Sequence, residues 1–301
     1  MNRPYTVLVT GASGKTGCRI SHLLKEEGHT VIAANRSAKG GHDVQFDWLD
    51  HATYDRVFKK RIDSAYLLAP AGVFDLLPAM QPFIDRLIEE NVKQIILLSA
   101  SSLEKDGPMI GTVHAYLEAH ALKWTVLRPT WFMQNFSEQH HVQSIREEDA
   151  IYSATHEGEV AFISADDIAK VAATALTNPG LPNGDYILTG TEALSYDKVA
   201  GIISGVTGRT IEHRNLSVKK LAERYERQGL PTDYAKTLAA MDTDIAEGSE
   251  SRITGIVQNI TGVQPIDFKS FAKGAADAWG ANSNKKRMVK SGRNNSNAKK
   301  S

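Results

Sequence analysis

The chain has a single cysteine, Cys18, among 301 residues. That scarcity excludes an internal disulfide framework and any thiolate-rich metal centre. A reducing, cytoplasmic setting is expected. No stretch approaches the roughly 18 consecutive apolar residues of a membrane-spanning helix, so no membrane partner is expected. The chain enters a strand pattern within its first ten residues, and no secretory signal is expected. Acid is missing from residues 281–301, which carry seven of the 35 basic residues. The first 280 residues are left with 28 bases against 35 acids, a net of −7. A body without a basic surplus is poorly suited to gripping nucleic acid. The hydrophobic share, 42%, is ordinary for a globular protein.

Short apolar runs alternate with amphipathic stretches of helical length. Tyr5–Thr10, Thr30–Ala34, Val44–Phe46, Ser64–Ala69, Gln94–Ser99 and Trp124–Arg128 predict strands, with helices at Thr16–Glu27 and Asp75–Glu90. Strands alternating with helices indicate a parallel sheet covered on both faces, an α/β, Rossmann-like, doubly wound fold. From about Ser137 the pattern becomes irregular. Helices are expected over Ile168–Leu176, Ser195–Thr207, Val218–Arg227 and Pro231–Glu247, with a strand at Asp185–Leu188. The expected organisation is a nucleotide-binding core over 1–136 and a small, mostly helical cap over 137–280, interleaved with remaining core elements. Residues 281–301 read as a disordered basic tail. Cys18 is expected to pack on the first helix. His140-His141 and Arg146–Asp149 are expected to be solvated, with no metal bound.

The clearest motif is Gly11-Ala12-Ser13-Gly14-Lys15-Thr16-Gly17, between the first strand and the first helix. In this variant of the dinucleotide fingerprint, the first glycine allows a tight turn. The second lets backbone approach a pyrophosphate, and the third lets helix pack against strand. The helix amino terminus adds free N–H groups for the anion. An NAD site would place an acid after the second strand, and none is present. Asn35-Arg36-Ser37 stands there instead, and Arg36 is suited to a ribose 2′-phosphate, with Asn35 and Ser37 as donors. The expected cofactor is therefore NADP(H). Asp47 is a candidate for the adenine, and Ala69-Pro70 ends the fourth strand where the cofactor ribose would pass.

Many reductases of this architecture protonate a developing alkoxide with a tyrosine followed four residues later by lysine. Here Tyr116 is followed by His120. Ser99 and Tyr116 are the candidate catalytic residues. Ser101, His114, Trp131, Phe132, Met133 and Asn135 are candidates for binding a small apolar substrate. A cationic iminium needs no such acid, because hydride addition to C=N⁺ gives a neutral amine.

The Gly11–Gly17 loop, Arg36 and the missing tyrosine–lysine pair resemble the NmrA-like atypical short-chain dehydrogenases. Leu98–Lys105, Val113–Leu117, Leu127–Asn135, Ile163–Ala169 and Gly229–Ala235 are similar to the ergot alkaloid biosynthesis reductases, of the agroclavine dehydrogenase and festuclavine synthase type. The resemblance runs over about residues 5–280. It implies an NADPH-dependent reduction of an iminium in a clavine-type substrate. An NADP(H)-sensing regulator without catalysis, or a quinone or enone reductase, are the alternatives.

Overall fold

The computed structural model describes residues 3–38 and 43–280. The expected basic tail, 281–301, lies outside the described residues. The chain opens with β1 (Thr6–Thr10), α1 (Lys15–Glu26), β2 (Thr30–Asn35), β3 (Asp43–Gln45) and β4 (Ser64–Leu67). It continues through α2 (Leu76–Glu89), β5 (Gln94–Leu98), α3 (Ile110–His120) and β6 (Trp124–Pro129). Then come α4 (His140–Glu147), β7 (Ala150–Ser153), β8 (Glu159–Val160), α5 (Ala165–Thr177) and β9 (Gly184–Leu188). The last elements are β10 (Leu194–Ser195), α6 (Tyr196–Thr207), β11 (Glu212–Asn215), α7 (Val218–Arg227), α8 (Thr232–Ala246), α9 (Ile256–Thr261) and α10 (Phe268–Gly274).

These elements form two compact units. The first comprises Met1–Thr130, Ala165–Thr189 and Thr254–Pro265. Its sheet has the order β3-β2-β1-β4-β5-β6-β9, with every neighbouring pair parallel. The strands leave β1 first towards β2 and then towards β4, so the doubly wound switch point lies between β1 and β4. Strand centres such as Val7–Val9 and Ile95–Leu97 are buried, which explains their unbroken apolar runs. On one face Met80, Phe83 and Leu87 of α2 and Val113 and Leu117 of α3 pack with Phe46, Trp48 and Tyr54. On the other, α5 lies against β4, β5 and β6 and pairs with α1.

The second unit comprises Trp131–Ser164, Gly190–Ile253 and the described part of Ile266–Ser301. It has its own core, with Phe136, Phe162, Tyr196 and Phe268 at its centre. A further cluster joins α7 and α8 through Leu221, Tyr225, Ala235 and Leu238. The first long segment of the nucleotide-binding unit runs to Thr130. The irregular region holds two small sheets, parallel β7/β11 and antiparallel β8/β10. Strands of two to four residues are too short to show a period in the sequence.

Three expectations are corrected. Cys18 is exposed, because the inner face of α1 is Thr16, Gly17, Ile20, Ser21 and Leu24. His141 is buried, its ring stacked on Phe136 at 4.9 Å. Burial, followed by His140, His213 and Arg224, holds its pKa well below the ordinary value, so it is a neutral core residue. Glu148 accepts from Tyr152 at 2.8 Å and pairs with Arg224, and Arg209 lies 3.0 Å from Asp149. The Arg146–Asp149 stretch is thus partly a clamp onto β11 and α7 rather than a free face.

Candidate functional site

The glycine loop sits at the carboxyl end of β1, beside the switch point, as the motif requires. Its three glycines serve different ends. Gly11 has φ +61°, a left-handed conformation, and a Cβ there would lie 2.6 Å from Leu68 Cδ2. A Cβ on Gly17 would lie 2.3 Å from the Gly11 carbonyl oxygen, so that glycine is set by the protein's own packing. A Cβ on Gly14 would meet nothing closer than 3.1 Å. Gly14 is not demanded so strictly from inside, which leaves close approach of a ligand as its reason. Gly14 is also the N-cap of α1, gives no side-chain cap, and is followed by no acid in the first turn. The amino terminus of α1 therefore keeps its affinity for an external anion. These features fit a dinucleotide pyrophosphate.

Several hydroxyls and amides hold the loop in place. Thr10 Oγ1 donates to Tyr66 O at 3.1 Å and accepts from Leu68 N at 2.8 Å, tying β1 to β4. Thr16 and Tyr66 share a hydrogen bond of 2.8 Å between their buried hydroxyls. Asn35 is buried, and its side-chain oxygen accepts from Ser13 N at 2.8 Å. Its amide thus braces the phosphate loop, a role the sequence reading did not assign. Arg36 and Ser37 are exposed just beyond β2, and Ser13 is exposed in the loop, with Lys15 half-buried at the start of α1. The Asp47 carboxylate accepts from Leu49 N at 3.0 Å, which gives it a turn-forming role of its own. Ala69 and Pro70 are half-buried after β4, next to Leu68 and the loop it touches.

At the carboxyl end of β5, the Ser99 N–H donates to Leu127 O at 2.8 Å, and the Ser99 hydroxyl is buried with no partner among the described residues. An orphaned hydroxyl in this position is suited to a bound ligand. Ser101 is buried, and its N–H donates to Pro129 O at 3.0 Å. The following loop is pinned by Arg128, which is 3% exposed. Its guanidinium donates to Asp185 at 2.7 Å, Glu104 at 2.5 Å and the Ser101 carbonyl at 2.8 Å. Sequence reasoning missed this clamp. Its signal was a lone arginine in an apolar strand, which must find partners once buried.

Tyr116 and His114 are placed differently from expectation. The Tyr116 hydroxyl donates to Asp85 of α2, and its ring stacks on His120 at 4.1 Å. His120 lines a cavity together with Ser64 and Gln94, the first residues of β4 and β5. Tyr116 thus faces a neighbouring helix near the amino end of the sheet, away from the glycine loop. Burial, and then the Asp85 carboxylate, raise its pKa, which makes it a weaker acid. The hydroxyl of this candidate proton donor is thus engaged by a carboxylate of the same unit. His114 is 2% exposed, with Nδ1 unpartnered among the described residues and its ring 5.7 Å from Trp124. Burial is the main cause of its lowered pKa. It is a packed neutral ring among the buried residues of α3.

In the second unit, Trp131, Phe132 and Asn135 are half-buried. Ile163 N donates to Trp131 O at 3.0 Å, and Met133 N donates to Ile163 O at 2.9 Å. Met133 itself is buried in the aromatic core. This unit also buries a carboxylate. Asp242 accepts from Ala154 N at 2.7 Å, and burial pushes its pKa from 3.8 up to about 6. A pKa raised by folding contributes stability that is complete below about pH 4 and lost as pH rises through about 6. At about 1.4 kcal/mol per unit, the loss is about 3 kcal/mol. Asp242→Asn keeps an oxygen for the Ala154 N–H and cannot ionise. It is expected to flatten the fall in thermal stability over this window and to raise Tm at neutral pH. A variant that retained the wild-type pH profile would contradict the assignment.

Ser153 Oγ lies 2.7 Å from His213 Nε2, and His213 Nδ1 lies 3.0 Å from Asp197. The order matches a hydrolytic triad, but Ser153 is 1% exposed and shares its hydroxyl with Thr155 at 2.8 Å. It acts as a structural chain of hydrogen bonds joining β7, β11 and α6.

Comparison with known proteins agrees with the loop and the sheet. The NmrA-like family matches residues 111–260, and an NAD(P)H-binding family matches residues 11–179. The agroclavine dehydrogenase of Claviceps fusiformis is 41% identical over 286 residues, 91% of this chain and 98% of that protein. Festuclavine synthase II of Penicillium roqueforti is 37% identical, over 91% of this chain and 99% of its own length. Among solved structures, the NADPH-dependent quinone oxidoreductase QOR2 of Escherichia coli, in complex with NADPH, has the same fold. Its TM-score is 0.77 at 20% identity, over 89% of this chain and 99% of that one. The chain belongs to the NmrA-like, NAD(P)H-binding oxidoreductases, as a relative of the clavine-alkaloid reductases.

Proposed function

We propose that the protein is an NADPH-dependent reductase of a small, apolar, cationic iminium, of the clavine type or close to it. The observation that carries this reading is the engagement of Tyr116 with Asp85, together with histidine in place of lysine at position 120. Reduction of a ketone calls for a proton at the developing alkoxide. Reduction of an iminium calls for none, so positioning and exclusion of water are enough. When bound, the nicotinamide would supply the hydride.

The chain's own residues would do the rest. The N–H groups of the Gly11–Gly17 loop would hold the pyrophosphate, with Asn35 bracing the loop from behind. Arg36 would pair with the 2′-phosphate, aided by Ser37. The Ser99 hydroxyl would donate to the cofactor or the substrate. Trp131 and Phe132 offer aromatic faces to a flat cation, and Asn135 a polar anchor. The parallel names of the relatives, agroclavine dehydrogenase and festuclavine synthase, support the substrate class.

Two measurements test the reading. Arg36→Ala is expected to raise the Kd of NADPH by about tenfold to a hundredfold, the value of one charge-assisted contact to phosphate. The Kd of NADH should barely change, and equal effects on both would refute the NADP assignment. NADPH oxidation should then be followed with iminium, enone and quinone substrates. Turnover of the iminium, undiminished in Tyr116→Phe, is the expected result. Inactivity with all three would favour a sensor of NADP(H).

A further inference from the structure

The first unit has a cavity at the end of the sheet opposite the glycine loop. Its volume is about 910 Å³. It lies at the amino ends of β4 and β5, where α2, α3 and α5 finish. One part of its wall is apolar, with Ile88, Val92, Leu122, Leu176 and Pro179. Leu122 is 89% exposed, an unusual position for a leucine with no neighbour to cover it.

The rest of the wall is cationic. Arg3, Arg61, Lys93 and Lys123 line it, against Asp63 as the one carboxylate in the lining. Asp63 is already engaged, by Arg3 at 2.6 Å and by the Thr6 N–H at 2.9 Å. Lys93 and Lys123 make no ion pair among the described residues. Cations commonly gather where helices end, because each helix carboxyl end carries about half a negative charge. Three such ends and Asp63 together offset about two and a half of the four positive charges. A surplus of more than one positive charge remains, next to apolar surface. Ser64, which is 1% exposed and also in the wall, has a buried hydroxyl with no partner among the described residues.

We propose that this cavity is a binding site for an apolar organic acid, separate from the cofactor loop. The carboxylate lies against Lys93 and Lys123 and accepts from the Ser64 hydroxyl, while the hydrocarbon body covers Leu122 and Ile88. Such a ligand meets the charge, the exposed apolar wall and the orphaned donor together. A neutral apolar molecule answers only one of them. A polyanion has no use for the apolar half.

The test is calorimetric titration of the full chain, saturated with NADPH, with dodecanoate below its micellar concentration. Saturation keeps the cofactor loop occupied. Binding of dodecanoate with one-to-one stoichiometry is expected, together with binding of dodecanol at least about tenfold weaker, since the carboxylate pairs with two lysines. Lys93→Glu/Lys123→Glu is expected to raise the dodecanoate Kd by about tenfold or more and to leave NADPH affinity unchanged. Lys93 is exposed and Lys123 half-buried, and neither makes an ion pair among the described residues, so Tm should hold within a few degrees. Ser64→Ala is expected to raise the same Kd a few-fold with no loss of Tm, because its hydroxyl satisfies nothing in the free protein. Absence of dodecanoate binding, equal binding of dodecanol, or an unchanged Kd in the double variant would each overturn the proposal.

Discussion

Gly17→Ala is expected to weaken cofactor binding about a hundredfold while leaving most of the fold in place. The new Cβ would stand 2.3 Å from the Gly11 carbonyl oxygen and 2.9 Å from Ala12 Cα. Both are backbone atoms of the loop, so no side chain can swing aside. Overpacking of this kind costs about 1–3 kcal/mol and is relieved by moving the loop off α1. A displaced loop loses its aimed N–H groups. Two lost charge-assisted bonds at about 1.5 kcal/mol each correspond to about a hundredfold in Kd. Gly14→Ala is the informative companion. Its Cβ would lie 3.1 Å from the Gly11 carbonyl oxygen, a tight contact that asks only a few tenths of an ångström of the loop, so Tm should fall less than in Gly17→Ala. NADPH binding should still fall, because the methyl group occupies the approach to the backbone. Fluorescence titration and thermal unfolding of the two variants separate these effects. Wild-type affinity in Gly17→Ala would contradict the loop's role.

Arg128→Ala is expected to have the largest effect on stability. Removing the guanidinium strands two carbonyls, Ala100 O and Ser101 O, and two carboxylates. Breaking a buried pair costs about 3–5 kcal/mol when the surviving charge stays buried. Here Glu104 and Asp185 are 72% and 41% exposed and can turn to water. The loss therefore belongs at the lower end, about 3 kcal/mol, or roughly 6–12 °C in Tm. Arg128→Lys should recover only part of this, since an ammonium cannot reach two carboxylates and a carbonyl in one plane. Activity should fall further than stability predicts, because the pinned loop begins at Ser99. Differential scanning calorimetry with parallel turnover assays checks both statements. An Arg128→Ala variant as stable as the wild type would contradict the clamp.

Much of the fold was legible because its signals are local. The β1–α1 turn, the apolar strand centres and the helices at Tyr196–Thr207 and Val218–Arg227 follow from residues within a few positions of each other. The cofactor loop belongs to this class. The second unit was harder, since β8 and β10 are two residues each and find partners far along the chain. Side-chain direction was not legible at all. Tyr116 lies on the helix where a proton donor was expected, but only the packing of α3 on α2 reveals that Asp85 takes its hydroxyl. The same holds for Asn35, whose amide turns back to Ser13. Met133 and His114 carry suitable chemistry for a pocket and are spent on cores instead. His141 shows the reverse error, a polar residue assigned to water and found against Phe136.

The path of the chain through the first unit bears on how it is made. Strand β9 pairs with β6 in the register Val126 to Asp185 and Arg128 to Ile187, and the Arg128–Asp185 ion pair joins the two strands across 57 residues of sequence. Helix α9, at Ile256–Thr261, joins the same unit later still. During synthesis, β1 to β6 emerge long before the edge strand that covers β6. For that interval β6 offers an open, apolar edge to other nascent chains. Parallel pairing over such a separation is slow. Yield in the cell would then be governed by the time between translation of Pro129 and of Leu188, more than by the stability of the finished protein.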